Sequence, residues 1–301
     1  MRASSVFLGL ALSNLVWAQS NCNDEDKEAL RVLRHLMHSA HSPGFAARAV
    51  VQTAVASQQI VVTRGVPDTD GAYSIQIPEH ASDCNNLSHR LLQDSVQGCG
   101  VAQWYKFRVE RQMLGGDKAT VITALPKDVY RHGFQVVVDE ANAIVLRSTT
   151  FSGANALENV ELRALSLANE GSESPAELGL NSIVPDTDLP SASDPDPDPD
   201  PDLAWLLGWV PAGFEVASSS IARGVQTRTY TDGLSTFSVF VEYPKGDIRL
   251  GEGVVNRGAT LAYTRGLSTR DGAALISVIG EIPVNTARML VEGVKWSANG
   301  E

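Results

Sequence analysis

Residues 193–205 read SDPDPDPDPDLAW, four Asp-Pro pairs and a fifth Asp set side by side. No other stretch limits the fold so strongly. Proline fixes φ, lacks an N–H donor and drives the preceding residue away from helical geometry, so neither helix nor sheet ladder can pass through this run. The nine Asp and Pro residues are expected to form polyproline II, roughly 28 Å long at ~3.1 Å per residue. Repulsion among the carboxylates stiffens the rod. A calcium loop would need a glycine-turned backbone that folds its ligands around the ion, whereas an extended rod splays them apart. The run reads as a spacer, and the chain on each side must fold around its own core.

The charge distribution agrees. Of 35 acidic and 24 basic side chains, net −11, no Lys or Arg lies between Arg163 and Arg223, while that interval holds eleven acids. The whole excess sits there, both flanks together are neutral, and neither resembles a basic nucleic-acid reader. An acidic tract without aromatic residues cannot bury enough apolar surface to offset its ordering entropy. Residues 166–204 are therefore assigned to an acidic, Pro-rich linker.

At the N-terminus, MRASSVFLGLALSNLVWAQS carries one Arg, an apolar run from Val6 to Val16, and a Val16-Trp17-Ala18 ending. This pattern predicts a secretory signal over 1–18, cleaved after Ala18. No later run of 18 or more apolar residues follows. Three cysteines suit an oxidising compartment without building a scaffold. Cys84 and Cys99 lie close enough to pair, and closing a loop of about 15 residues would stabilise by roughly 3 kcal/mol in the chain-entropy model. Cys22 is left over, and no short CxxC pair offers a zinc site.

Within 19–165, one amphipathic helix is expected near the start. Ala29, Leu30, Leu33, Leu36 and Met37 fall at helical spacing, with acids in the first turn and Arg31, Arg34 and His35 later. His35, His38 and His41 recur every third residue, so they spiral around the helix and read as solvated. After Gly44 the period changes: FAARAVVQTAV, QQIVVTRG, AYSIQI, QWYKFRVE and KATVITAL are strand-like. YRHGFQVVVDEANAIVLRS is the clearest hairpin. Alternation assigns Phe134, Val136, Val138 and Ile144 to one face, a core or a cavity. Tyr130, Arg131 and His132, at its entry, read as a capping group at a sheet rim.

Within 205–301, TRTYTDGLSTFSVFVEYP predicts a hairpin turning at Asp232-Gly233, a dipeptide suited to positive φ. GATLAYTRG and AALISVIGE add strands. A helix follows in IPVNTARMLVEGVKW, with Ala287, Leu290, Val291 and Val294 on its sheet-facing side. About 97 residues suffice for an independent core.

Catalytic motifs are missing. The sequence has no G-x-S-x-G elbow, no H-E-x-x-H helix, no P-loop and no dinucleotide fingerprint. All six histidines precede residue 133, leaving the second unit without one. The expectation is a protein that is not an enzyme and uses neither cofactor nor metal.

The segments WVPAGFEV, TRTYTDGLSTFSVFVE, GATLAYTR and VIGEIPVNTARMLVEGV resemble, in order, the C-terminal domain of the RseB/MucB family of periplasmic regulators of the envelope-stress sigma factor. YKFRVERQMLGGDKATVITALPKDVYRHGFQVVVDEANAIVLRS is similar to the hairpin region closing that family's first domain. PGFAARAVVQTAV departs from the family's aromatic-rich strand, and the segment from Asp83 to Gly100 has no counterpart in the pattern. The resemblance implies a β-rich α+β protein. Its first domain would be an incompletely closed antiparallel β-barrel of the LolA/LolB kind with helices, and its second a small α+β domain.

The resemblance also implies a task. The chain would bind the periplasmic region of an RseA/MucA-type anti-sigma factor and shield it from site-1 proteolysis. Lipopolysaccharide or lipoprotein acyl chains would release it. Phe134, Val136, Val138 and Ile144 are the lipid-pocket candidates. Arg223, Arg228, Arg265 and Arg270 are the anti-sigma-binding candidates, because guanidinium suits bidentate recognition of carboxylates. No nucleic-acid partner is expected, a homodimer stays open, and a periplasmic lipoprotein carrier of the LolA/LolB type is the alternative.

Overall fold

A computed structural model describes residues 22–38, 45–64, 74–76, 100–114, 116–167, 203–244, 250–269 and 272–296. The signal segment, the Asp-Pro run, Cys84, Cys99 and Arg270 lie outside the described residues.

Helix α1, Asp24–His38, is the first element described. Its start is a reciprocal cap: the Asp26 N–H donates to Asn23 Oδ1 (2.7 Å) and the Asn23 N–H to Asp26 Oδ2 (3.4 Å). Two orphan donors of the first turn are thereby satisfied. Ala29, Leu30 and Val32 point inward and are buried.

Eight strands make one sheet in the order β3-β2-β1-β8-β7-β6-β5-β4. They are β1 Phe45–Thr53, β2 Ser57–Arg64, β3 Ser74–Gln76, β4 Tyr105–Leu114, β5 Asp117–Pro126, β6 Gly133–Asp139, β7 Ile144–Ser152 and β8 Asn155–Leu167. Neighbours are antiparallel except β2 and β3, which run parallel and so depart from the expected all-antiparallel meander. β4 is an edge, and two of its outward donors are taken up by α1. The Phe107 N–H donates to Asp26 Oδ1 (3.3 Å) and the Val109 N–H to Glu25 Oε1 (3.2 Å). The first turn of α1 thus satisfies an edge that would otherwise invite another strand. Beneath the helix, Leu30, Val32, Val101, Tyr105, Phe107, Ile122 and Val138 form the first core.

The second sheet has the order β10-β11-β12-β15-β14-β13. Its strands are β10 Glu215–Ala222, β11 Val225–Thr231, β12 Thr236–Glu242, β13 Gly251–Arg257, β14 Thr260–Thr269 and β15 Gly272–Gly280. Helix α2, Val284–Glu292, is entered through Pro283 and ends at Gly293. It covers one face with Ala287, Leu290 and Val291. A short pair, β9 Trp205–Leu207 with β16 Val294–Trp296, closes the same side. On the other face, hydroxyl pairs bridge the strands, Thr229–Ser238 at 2.8 Å and Thr264–Ser277 at 2.9 Å. That alternation of apolar and polar faces is what a half-covered antiparallel sheet requires. Leu203, in the stretch read as linker, is buried in this second core.

Two expectations need correction. The first concerns the disulfide. Cys22 is disulfide-bonded, and the chain has only Cys84 and Cys99 besides it. Both of those lie outside the described residues, and the expected Cys84–Cys99 bridge with them; what the structure corrects is the reading of Cys22 as left over. Cys22 packs against the first core, so it anchors the helix start instead of fraying. The second concerns Ile144. A register shift after Val137 pairs Val138 with Val145 and Asp139 with Ile144. Cross-strand partners share a face and successive residues alternate, so the bulge turns Ile144 away from Val138.

Candidate functional site

The two sheets meet at a buried polar centre that the sequence scattered over more than a hundred positions. The loop between β5 and β6 supplies Arg131, whose side chain is fully enclosed. Its Nη1 donates to Asp232 Oδ2 at 2.6 Å, and both side chains have 0 % exposure. Nη2 reaches the Ala212 carbonyl at 2.6 Å, while Nε meets Asp128 at 3.1 Å. The guanidinium lies 5.5 Å from the Trp104 ring centroid, 5.6 Å from that of Tyr105 and 5.1 Å from that of Phe214. Trp104 and Tyr105 belong to the first sheet's unit and Phe214 to the second. Arginine is suited to this position, since its flat face stacks while its edge donates in several directions.

Asp232 occupies the β11–β12 turn. Its Oδ1 accepts from the Leu234 N–H (3.0 Å) and the Ser235 N–H (2.7 Å), and its Oδ2 also accepts from the Tyr105 hydroxyl (3.1 Å). Burial pushes the carboxyl up from its ordinary value; the Ser235 N–H, Arg131, the Leu234 N–H and Tyr105 oppose that. Tyr105 is itself pushed well up, first by burial and then by the Asp232 charge. Gly233 has φ +97, the left-handed geometry the tight turn needs. Leu234, two residues beyond Asp232, packs against the first core together with Phe134, Val136 and Trp104. The hairpin tip of the second sheet is therefore inserted into the first unit.

Neighbouring contacts extend the seam. Thr286 Oγ1 of α2 donates to the Tyr130 carbonyl (3.1 Å), and the Tyr130 ring meets Trp209 edge-on at 5.1 Å. His132 hydrogen-bonds to the Ile282 backbone, and burial lowers its pKa. Its Nδ1 is buried without a partner. Further along, Arg257 donates to Gln58 at 3.2 Å. Glu281 is pushed up by burial and then by the charge of Glu158. Two glycines permit the close approach. An added Cβ at Gly213 would overlap the Trp104 ring, and one at Gly258 would overlap the Glu158 carboxylate.

The candidates singled out from the sequence are distributed as follows. Phe134, Val136 and Val138 sit together in the first core under α1, Val138 fully enclosed. Ile144 is buried in a separate cluster with Ala47, Leu146 and Leu162. Arg228 donates to Ser219 at 3.0 Å and lies 5.8 Å from the Trp205 ring centroid. Arg265 stands between Glu252 (3.7 Å) and Glu292 (3.8 Å). Arg223 occupies the β10–β11 turn with φ +50. Arg228 and Arg265 thus stand on different strands, each with partners of its own unit, and Arg223 stands in a turn. Tyr130, Arg131 and His132, read as a rim cap, instead form the domain junction. Asp232 was legible only as a turn residue. No group of three or more His, Cys, Asp or Glu among the described residues could hold a metal.

These features define a two-unit, β-rich protein whose sheets are joined by a buried ion pair. Family models identify it further. The MucB/RseB N-terminal domain model matches residues 73–190 and the MucB/RseB C-terminal domain model matches 199–295. The chain belongs to the MucB/RseB family. It is 28% identical over 206 residues to the sigma factor AlgU regulatory protein MucB of Pseudomonas aeruginosa, covering 66% of this chain and 63% of that protein. It is 25% identical over 207 residues to the sigma-E factor regulatory protein RseB of Escherichia coli, covering 66% and 61%. The matches thus span less than two thirds of these relatives. Among solved structures, MucB in complex with MucA(peri) aligns with a TM-score of 0.62 at 21% identity, over 90% of this chain and 99% of that one. The Pseudomonas aeruginosa MucA/MucB complex gives 0.60 at 20% identity, over the same shares. The first matched family segment begins at residue 73, beyond the β1 sequence that departs from the family pattern, yet β1 still pairs with both β2 and β8. No helix among the described residues is long and apolar enough to cross a membrane.

Proposed function

We propose that this chain is a periplasmic negative regulator of an envelope-stress sigma factor. It binds the periplasmic region of an RseA/MucA-type anti-sigma factor and protects that region from site-1 proteolysis. In this reading residues 1–18 are a cleaved export signal. In the same reading the first, lipid-sensing domain extends to the end of β8 at Leu167, the second begins at Leu203, and the Asp-Pro spacer joins them. The observation that carries the proposal is the pair of family matches in order along the chain, together with the alignment to MucB bound to MucA(peri).

The eight-stranded sheet, with α1 against it, is the wall of an open barrel of the LolA/LolB kind in this proposal. Acyl chains of lipopolysaccharide or lipoprotein enter beside Phe134, Val136 and Val138, and their entry releases the anti-sigma factor. A ligand can drive release only by binding the two states with different affinity. Arg265 and Arg223 are the proposed contacts on the second sheet, Arg228 being more enclosed by its own strand neighbours. The test is calorimetric titration of the purified chain with the periplasmic segment of such an anti-sigma factor. Saturable binding is expected. Absence of heat and of complex at micromolar concentrations of both would overturn the proposal.

A further inference from the structure

Asp232 and Leu234 belong to the second sheet, but their side chains are engaged by the first unit. Asp232 is held by Arg131 and Tyr105 from across the junction. Leu234 lies on the apolar cluster that also holds Phe134 and Val136. Tyr105 links the two contacts: its ring centroid is 6.3 Å from that of Phe134 and 6.4 Å from that of Phe107. The tip is braced from behind as well. Thr231 Oγ1 donates to the Ser235 carbonyl (2.9 Å), and Ser235 Oγ donates to the Glu281 carbonyl (2.8 Å). A rigid hairpin therefore presents one leucine to the first core, flanked by an aspartate that fixes its depth.

We propose that this tip is a built-in plug, and that acyl chains compete with Leu234 for the first unit's apolar cluster. The idea rests on the acyl-chain reading above and adds the device that transmits occupancy. An acyl chain lying against Phe134 and Val136 covers the surface Leu234 needs. Displacing Leu234 withdraws Asp232 from Tyr105 and Arg131, because only one residue separates the two side chains along a braced turn. The junction then loses its central ion pair, and the domains are free to reorient. The cost of unpairing two buried charges makes the change two-state instead of graded, as coupling between distant sites requires. A rotation of Phe134 alone would reach Asp232 through Tyr105 by the same route.

The experiment uses the purified chain, dansyl-undecanoic acid as the acyl probe, and backbone hydrogen exchange read by mass spectrometry. In the parent, saturating probe should raise exchange in the peptide spanning Thr231–Thr236, and exchange in the β12–β15 pair should stay unchanged. Leu234→Ala should bind the probe roughly five- to tenfold more tightly than the parent, the low end of ordinary site-to-site coupling. Asp232→Asn, which keeps the turn's acceptor oxygen, should shift affinity in the same direction. Equal affinity in parent and Leu234→Ala, or probe binding that leaves the tip's exchange unchanged, overturns the plug. Failure of the parent and of Leu234→Ala alike to take up the probe overturns the acyl-chain reading itself and the competition with it. The parent exchange measurement decides the matter even where a variant fails to fold.

Discussion

Replacing Arg131 by methionine keeps most of the side-chain length and removes the charge at the centre of the junction. In the parent the guanidinium serves Asp232, Ala212 and Asp128 at once, with no solvent at either Arg131 or Asp232. Solvent screening therefore does not reduce its contribution as it would for a surface pair. Methionine can occupy the space between Trp104, Tyr105 and Phe214, so the main loss is electrostatic. Asp232 would keep the Ser235, Leu234 and Tyr105 donors but lose its cation. Removing one partner of a buried pair typically costs about 3–5 kcal/mol. The sign of the pH dependence follows from the Asp232 carboxyl, which burial already pushes up. A carboxyl whose folded pKa lies above its unfolded value disfavours folding once pH rises through the folded pKa, and the penalty vanishes below the unfolded pKa. Loss of Arg131 raises the folded value further. The deficit of Arg131→Met relative to the parent should therefore be greatest at neutral pH and shrink as Asp232 takes up a proton. Urea denaturation of both proteins at neutral and acid pH measures it, and taking the difference removes contributions common to both. A neutral-pH deficit below about 1 kcal/mol, or one that does not change on acidification, would refute the reasoning.

Three further outcomes are expected. Gly213→Ala should destabilise more than Gly224→Ala, because both sites have positive φ (+88 and +82) but only Gly213 faces Trp104; equal midpoints in urea would contradict the close-approach argument. His132 is buried with a lowered pKa, so its stabilising contribution is complete above the ordinary histidine value and is lost as pH falls through the folded one. His132→Gln should flatten the parent's loss of stability below that range, and an unchanged pH profile would count against it. Asp26→Ala removes an N-terminal cap and leaves the Phe107 N–H without its acceptor. A loss of about 1–2 kcal/mol in chemical denaturation is expected, the usual scale for caps and buried donors.

The helix and most strands were legible because their periods are local. Acids before apolar residues before bases marked α1, and alternation marked β6, β12, β14 and β15. β8 was not recognised: NALENVELRALSL is rich in Ala, Leu and Glu, which favour helix in isolation. Pairing with β1 on one side and β7 on the other overrides that preference. β13, GEGVVNR, hides behind two glycines. Ile144 parts from the face of Phe134, Val136 and Val138 because a one-residue bulge reverses the face of everything beyond it, and no local pattern announces the bulge. The junction was the least legible part. Arg131 and Asp232 are 101 residues apart, and each has an ordinary local explanation, rim cap and turn former. A weak signal was the gathering of Trp104, Tyr105, Tyr130, Arg131 and His132 at strand entries, where large aromatic and cationic side chains need a surface to cover.

The central claim is that this chain protects an anti-sigma factor from cleavage, and the direct test is a proteolysis time course. The purified periplasmic segment of an RseA/MucA-type anti-sigma factor is exposed to its site-1 protease while the concentration of this protein is raised. The half-life of the segment should lengthen and saturate at the concentration where calorimetry shows the complex filled. A half-life that stays constant at saturating regulator would contradict the account.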